Sequence, residues 1–139
     1  MNLLASFADL ETPLREPLDE GIHIDAKDKG LASELQRVVQ FRTECRMFLP
    51  HVMIVGVPNA AKRGMAAQRQ VKREGLLTGF PDLIALAPGK VAFLEFKGAA
   101  TMPSQAQIDC LNRLARMGWP VGVFRRADSA VAWLRRAGF

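Results

Sequence analysis

The segment from Gly79 to Gly98, GFPDLIALAPGKVAFLEFKG, constrains the fold of this 139-residue chain more than any other stretch. It holds two apolar runs, Asp82 to Ala87 and Val91 to Lys97, on either side of Pro88-Gly89, a dipeptide that favours a tight turn. The two runs predict a β-hairpin. Side chains alternate faces along a strand, which sets Val91, Phe93, Glu95 and Lys97 on one side and Ala92, Leu94 and Phe96 on the other. Both sets are apolar apart from Glu95 and Lys97, so the second strand belongs in the interior of a sheet, covered on both faces.

The rest of the chain supplies the cover. A helix is expected from Leu31, capped by Ser33, with Leu31, Leu35, Val38, Cys45 and Leu49 forming its apolar stripe. Pro50 ends it, and His51 to Val57 reads as a short strand bounded by Pro58. Met65 to Glu74 favours helix, with Gly75 as its stop. Beyond the hairpin, Ser104 to Met117 puts Ile108, Leu111, Leu114 and Ala115 on one helical face, and Gly118 terminates it. A strand from Val121 to Phe124 and a helix from Asp128 to Ala137 complete the chain. This order predicts an α/β fold, a small mixed β-sheet flanked by helices, in which a crossover helix joins the hairpin to a further strand. The length supports a single core. Residues 1–29, with Pro13, Pro17 and Gly21 and no sustained periodicity, are expected to form a loosely ordered N-terminal arm, leaving 30–139 as the folded domain.

Several classes are disfavoured. No run approaches the roughly 20 apolar residues that span a bilayer, and the N-terminus has no basic flank ahead of its short apolar stretch, so no membrane association and no export are expected. Cys45 and Cys110 fall in predicted helices without a neighbouring ligand and read as reduced core residues; His23 and His51, with no CxxC motif, give no zinc pattern. The net charge of +5 is unevenly spread: residues 1–30 carry seven acids and three bases, whereas 31–139 carry seven acids and sixteen bases. A folded part so basic suits a polyanionic partner, because cations that neutralise phosphates release condensed counterions. A well-solvated basic surface accounts for the same numbers.

Glu95 and Lys97 project side by side, roughly 6.5 to 7 Å apart along the strand, from an element that otherwise requires burial. A mutual ion pair is the simplest compensation. Asp82, at the start of the preceding strand, adds a second carboxylate that the hairpin can bring beside the first; standing alone it would read as a turn residue after Pro81. Two converging carboxylates repel one another, and a hard divalent cation relieves that repulsion, with magnesium the default. Such an ion polarises a phosphodiester oxygen and acidifies a coordinated water, while Lys97 can orient that water or stabilise the developing charge. Between the first strand and the hairpin, Lys62, Arg63, Arg69, Lys72 and Arg73 stand against one acid, Glu74, which suits phosphate contact or an ordinary exposed helix face.

The string from Gly79 to Gly98, with Asp82 followed by Glu95-Phe96-Lys97, resembles the PD-(D/E)xK nuclease core. Asn59, the GFPDL and LEFKG segments and the downstream Ser104-Gln105-Ala106-Gln107 are similar to the virus-type replication-repair nuclease (VRR-NUC) domain over roughly residues 31–127. Phe80 departs from the valine usual before PD. The resemblance implies a restriction-endonuclease-like core, with Asp82, Glu95 and the Phe96 backbone carbonyl as ligands of Mg2+ (or Mn2+ in its place) and Lys97 as the catalytic lysine. It also matches Gln107 to a site glutamine, although Ser104-x-x-Gln107 is equally a capping box and the two roles compete for one side chain. A glutamate on the first helix is implied as well. Glu34 fits best, with complementation of the helix dipole as its plain alternative.

As an activity, the resemblance implies a divalent-metal-dependent DNA endonuclease selective for branched DNA such as Holliday junctions or flaps. Such an enzyme would act in DNA repair as a homodimer, in a cytoplasmic, bacterial or phage setting, with Asn59 and the basic segment on the DNA. The alternative is a catalytically silent, basic nucleic-acid-binding module of a repair or packaging complex.

Overall fold

In the computed structural model, which describes residues 15–58 and 64–139 apart from the side chains of Gln68, Val71 and Lys72, the hairpin forms at Pro88-Gly89 as its composition requires. The elements are β1 (His23–Ile24), α1 (Glu34–Phe48), β2 (Met53–Gly56), α2 (Met65–Arg73), β3 (Leu83–Ala87), β4 (Lys90–Phe96), α3 (Gln105–Arg116), β5 (Val121–Phe124) and α4 (Ala127–Arg136). Gly89 turns the hairpin with φ +69°, a conformation that a side chain disfavours. β3 and β4 are antiparallel with Leu83 opposite Leu94, and β2 lies antiparallel on the outer side of β3. On its other side β4 pairs in parallel with β5, the strand that α3 delivers after crossing the sheet. The sheet order is β1-β5-β4-β3-β2. The result is the expected α/β architecture, a mixed five-stranded sheet with helices on its faces.

Alternation along β4 divides the interior in two. Ala92, Leu94 and Phe96 are fully buried against Phe41 and Cys45 of α1 and Ala130 and Leu134 of α4. Phe93 and the partly buried Val91 face Leu111, Leu114 and Ala115 of α3. The interior position of β4 therefore follows from its sequence, and any polar group on it is held away from water.

Two departures are informative. Ser33 caps α1 through a reciprocal box with Gln36, but the buried face runs through Arg37, Phe41 and Cys45 to Leu49, while Leu35 is 72% exposed. Hydropathy places a leucine on the core side and an arginine outside. Here Arg37 is buried with its guanidinium donating to the carbonyls of Ser33 and Arg125, whereas Val38, Cys45 and Leu49 of the anticipated stripe do face the core. The second departure is β1, which lies in the stretch expected to be loosely ordered and pairs in parallel with β5. It is too short for periodicity to detect.

Asp25, just after β1, explains why this segment is fixed. α4 has no side-chain cap of its own, since its N-cap residue is Arg126. Asp25 substitutes from a distance, accepting from the backbone N–H of Arg125 at 2.7 Å and of Arg126 at 3.2 Å, and from the Ser129 hydroxyl. His23 adds a further contact at 2.6 Å. Burial pushes the Asp25 carboxyl up, but the hydrogen bonds from Ser129, Arg125, His23 and Arg126 outweigh it and hold the group below its ordinary 3.8. A depressed acid stabilises the fold above its unfolded-state pKa, and this stabilisation disappears as pH falls through the folded value. Asp25→Ala should therefore cost about 2–3 kcal/mol in urea unfolding at neutral pH. The deficit relative to the parent should shrink steadily below about pH 4.

Candidate active site

The register of the hairpin determines what meets what. With Leu83 opposite Leu94, the residue before β3 and the residue near the end of β4 come together, and these are Asp82 and Glu95. The Asp82 N–H donates to Glu95 Oε2 at 3.1 Å, and the Phe96 N–H donates to Asp82 Oδ2 at 3.2 Å. Each acid thus engages the other's strand. The Asp82 carbonyl accepts from Val57 N–H at 2.8 Å, so the extension of β2 fastens the same corner from outside.

Lys97 stands where the alternation of β4 predicts. Its Nζ is 3.7 Å from Glu95 Oε1, and its own N–H donates to the Phe124 carbonyl at 2.9 Å, which carries strand-like geometry one residue beyond β4. Gln107 reaches the cluster from α3, with its Nε2 donating to Glu95 Oε1 at 2.8 Å while its Oε1 accepts from Ser104 N–H at 2.8 Å. The expected competition between capping and site roles is absent. The two ends of the amide point in opposite directions, so a single side chain caps the helix and grips the buried acid.

Gly79 explains how α3 comes so close. Its φ is +82°, and a Cβ there would lie 2.4 Å from the Ala106 carbonyl oxygen and 2.7 Å from Gln107 N. Backbone therefore packs on backbone at this point. The loop leading to Asp82 is seated on the first turn of the helix that carries Gln107, an arrangement open only to glycine.

Glu95 is 2% exposed, and its carboxyl is pushed up from 4.5 to about 8. Burial is the main cause, followed by the negative charge of Asp82; the Lys97 ammonium pulls the other way without prevailing. Two adjacent carboxylates are a hard oxygen donor set of the kind that fits a hard divalent cation, which takes one or two carboxylates and keeps several waters. Among the described residues no group of three or more histidine, cysteine or acidic side chains is gathered for a metal; Asp82 and Glu95 are two acids brought together that could hold one.

The remaining predicted residues are placed less centrally. Glu34, in the first turn of α1, shares a cleft of about 540 Å3 with Asp82, lined also by Val38, Gly56 and Val57. Phe96 presents its N–H to Asp82 and buries its ring in the core. Arg69 and Arg73 are exposed on α2. Asn59, Lys62 and Arg63 lie outside the described residues, as does the side chain of Lys72. Cys45 and Cys110 are unpaired thiols, the first buried and pushed up to about 12 by burial, then by the charge of Glu44. No helix among the described residues is long and apolar enough to cross a membrane.

Sequence reasoning misses Arg125, which is fully buried beside the exit of β4. Its only signal is a charged pair, Arg125-Arg126, directly after a strand, and such a pair ordinarily marks a return to solvent.

One end of the mixed sheet gathers an acid ahead of β3, an acid and a lysine at the end of β4, and a glutamine on the crossover helix. The fold has counterparts among solved structures. The chain matches a "VRR_NUC domain protein" with a TM-score of 0.56 and 21% identity, over 78% of this chain and 88% of that one. It matches a second structure, described as a "VRR_NUC domain", with a TM-score of 0.53 and 22% identity, over 75% and 97% of the two chains. No family model matches the sequence, and no curated protein does. The chain therefore has the VRR-NUC fold.

The raised Glu95 pKa makes a prediction for the metal-free protein. The folded state keeps the proton to about 8 while the unfolded chain releases it near 4.5, so the contribution to stability is full below pH 4.5 and is lost as pH rises through 8. Relative to Glu95→Gln, which cannot ionise, the parent should lose a few kcal/mol between these limits in urea titrations. Parallel curves would show that Glu95 ionises normally.

Proposed function

We propose that the chain is a divalent-metal-dependent endonuclease acting on DNA. The observation that carries this reading is the meeting of Asp82, Glu95, Lys97 and Gln107 at one sheet end in a VRR-NUC fold. Asp82 and Glu95 would hold Mg2+, with Mn2+ as a substitute and the Phe96 carbonyl as a third donor. The bound ion would polarise a phosphodiester oxygen and lower the pKa of a coordinated water. Glu95 must first give up its proton, so metal binding and deprotonation are coupled. Lys97, mostly withdrawn from solvent at 14% side-chain exposure, supplies an ammonium where negative charge develops on the phosphate. Gln107 fixes the direction of the Glu95 carboxylate. Glu34, on the rim of the cleft beside Asp82, is suited to orient a water in the outer shell.

The excess of sixteen bases over seven acids after residue 30 supports DNA as the substrate, with the Asn59 to Arg73 segment as the contact leading into the hairpin. Selectivity for branched DNA, such as Holliday junctions or flaps, and a repair role in a cytoplasmic, bacterial or phage setting, extend the resemblance of the GFPDL and LEFKG segments. Symmetric cutting of two strands would call for a two-fold homodimer.

Incubating the protein with labelled junction, flap, hairpin and linear duplex DNA, with and without Mg2+ or Mn2+, tests this reading. Metal-dependent cleavage is expected, strongest on a branched substrate. Asp82→Ala should lower the rate by at least about a hundredfold while leaving DNA binding within a few fold. Binding without cleavage of any substrate would instead favour the silent nucleic-acid-binding module.

A further inference from the structure

The loop 98–103 connects the two site residues Lys97 and Gln107, and it has no regular secondary structure of its own. Its backbone carbonyls are nevertheless occupied. Arg125 Nη1 donates both to the Gly98 carbonyl and, at 2.8 Å, to the Thr101 carbonyl, and its Nη2 lies 3.6 Å from the Met102 sulfur. The Ala99 carbonyl accepts from Asp28 N–H at 2.9 Å. Arg125 is itself immobilised: Nε donates to the Asp25 carbonyl at 3.2 Å, its N–H to the Asp25 carboxylate, and its carbonyl accepts from Arg37 Nη1 at 2.7 Å.

A fully buried guanidinium is costly unless its donors are satisfied. Here the two terminal nitrogens are directed at the loop whose shape sets the distance from Lys97 to the cap of α3, while Nε is held by Asp25. Lys97 is then bracketed, its N–H bound to the Phe124 carbonyl and the carbonyl of the next residue bound to Arg125. From these contacts we infer that Arg125 is a positioning residue for the site. Its planar fork clamps loop 98–103 and thereby holds the Lys97 amine and the Gln107 amide on the same Glu95 oxygen. A lysine cannot replace it, because a single ammonium lacks the rigid spread of donors that spans two carbonyls and a sulfur.

This inference rests on the nuclease reading for its catalytic consequence but has a readout that does not. Arg125→Lys and Arg125→Met would be compared with the parent by amide hydrogen exchange and by Mg2+-dependent DNA cleavage. Loop 98–103 should exchange about tenfold faster in both variants while β4 and β5 keep parental protection. The kcat should fall on the order of ten- to a hundredfold with KM little changed, because the reacting groups are displaced and DNA contacts are not. Parental loop exchange, or equal loss of protection in loop and sheet, would overturn the inference, as would failure of both variants to fold. If the parent cleaves no DNA, the nuclease reading falls while the exchange measurement still decides whether Arg125 fixes the loop.

Discussion

Glu95 is a carboxylate on a strand covered on both faces, and the surrounding structure is organised around that fact. Removing such a group from water costs several kcal/mol after relaxation unless partners replace its hydration. The chain supplies them from three directions: the Asp82 N–H from the hairpin, the Gln107 amide from α3 and the Lys97 ammonium from two residues along β4. Burial first, and then the second negative charge that Asp82 brings, push the Glu95 carboxyl up to about 8.

The supports for this arrangement form a ring around it. Gly79 lets the loop before Asp82 rest directly on the backbone of α3, and Val57 ties the Asp82 carbonyl to the extension of β2. On the other side, Arg125 fastens loop 98–103, and Asp25 fastens Arg125. β1, only two residues long, matters because it brings Asp25 to the N-terminus of α4. All buried side-chain nitrogens and oxygens among the described residues have a hydrogen-bond partner.

Much of this is legible in the sequence because alternation and turn chemistry act locally. The hairpin, the interior position of β4 and the adjacency of Asp82, Glu95 and Lys97 all come from residues 79–98 alone. The helices emerge to within a residue or two where a cap, a stop and a period coincide, as at Ser104 and Gly118. Long-range polar contacts stay hidden. Arg37, Asp25 and Arg125 are hydrophilic residues whose burial depends on partners 24 to 104 positions away, which neither periodicity nor spacing reports. The double role of Gln107 escapes the motif for a geometric reason: an amide has a donor end and an acceptor end, and capping uses only the latter.

The most direct test is an NMR titration of the Glu95 side-chain carboxyl in the metal-free protein, repeated with Mg2+. The account predicts a midpoint near 8 without metal and a marked downward shift when the ion is present, since ligand and proton compete for the same oxygens. A midpoint near 4.5 that Mg2+ does not move would mean that the two acids do not share a buried, cation-seeking site, and the central claim would fail.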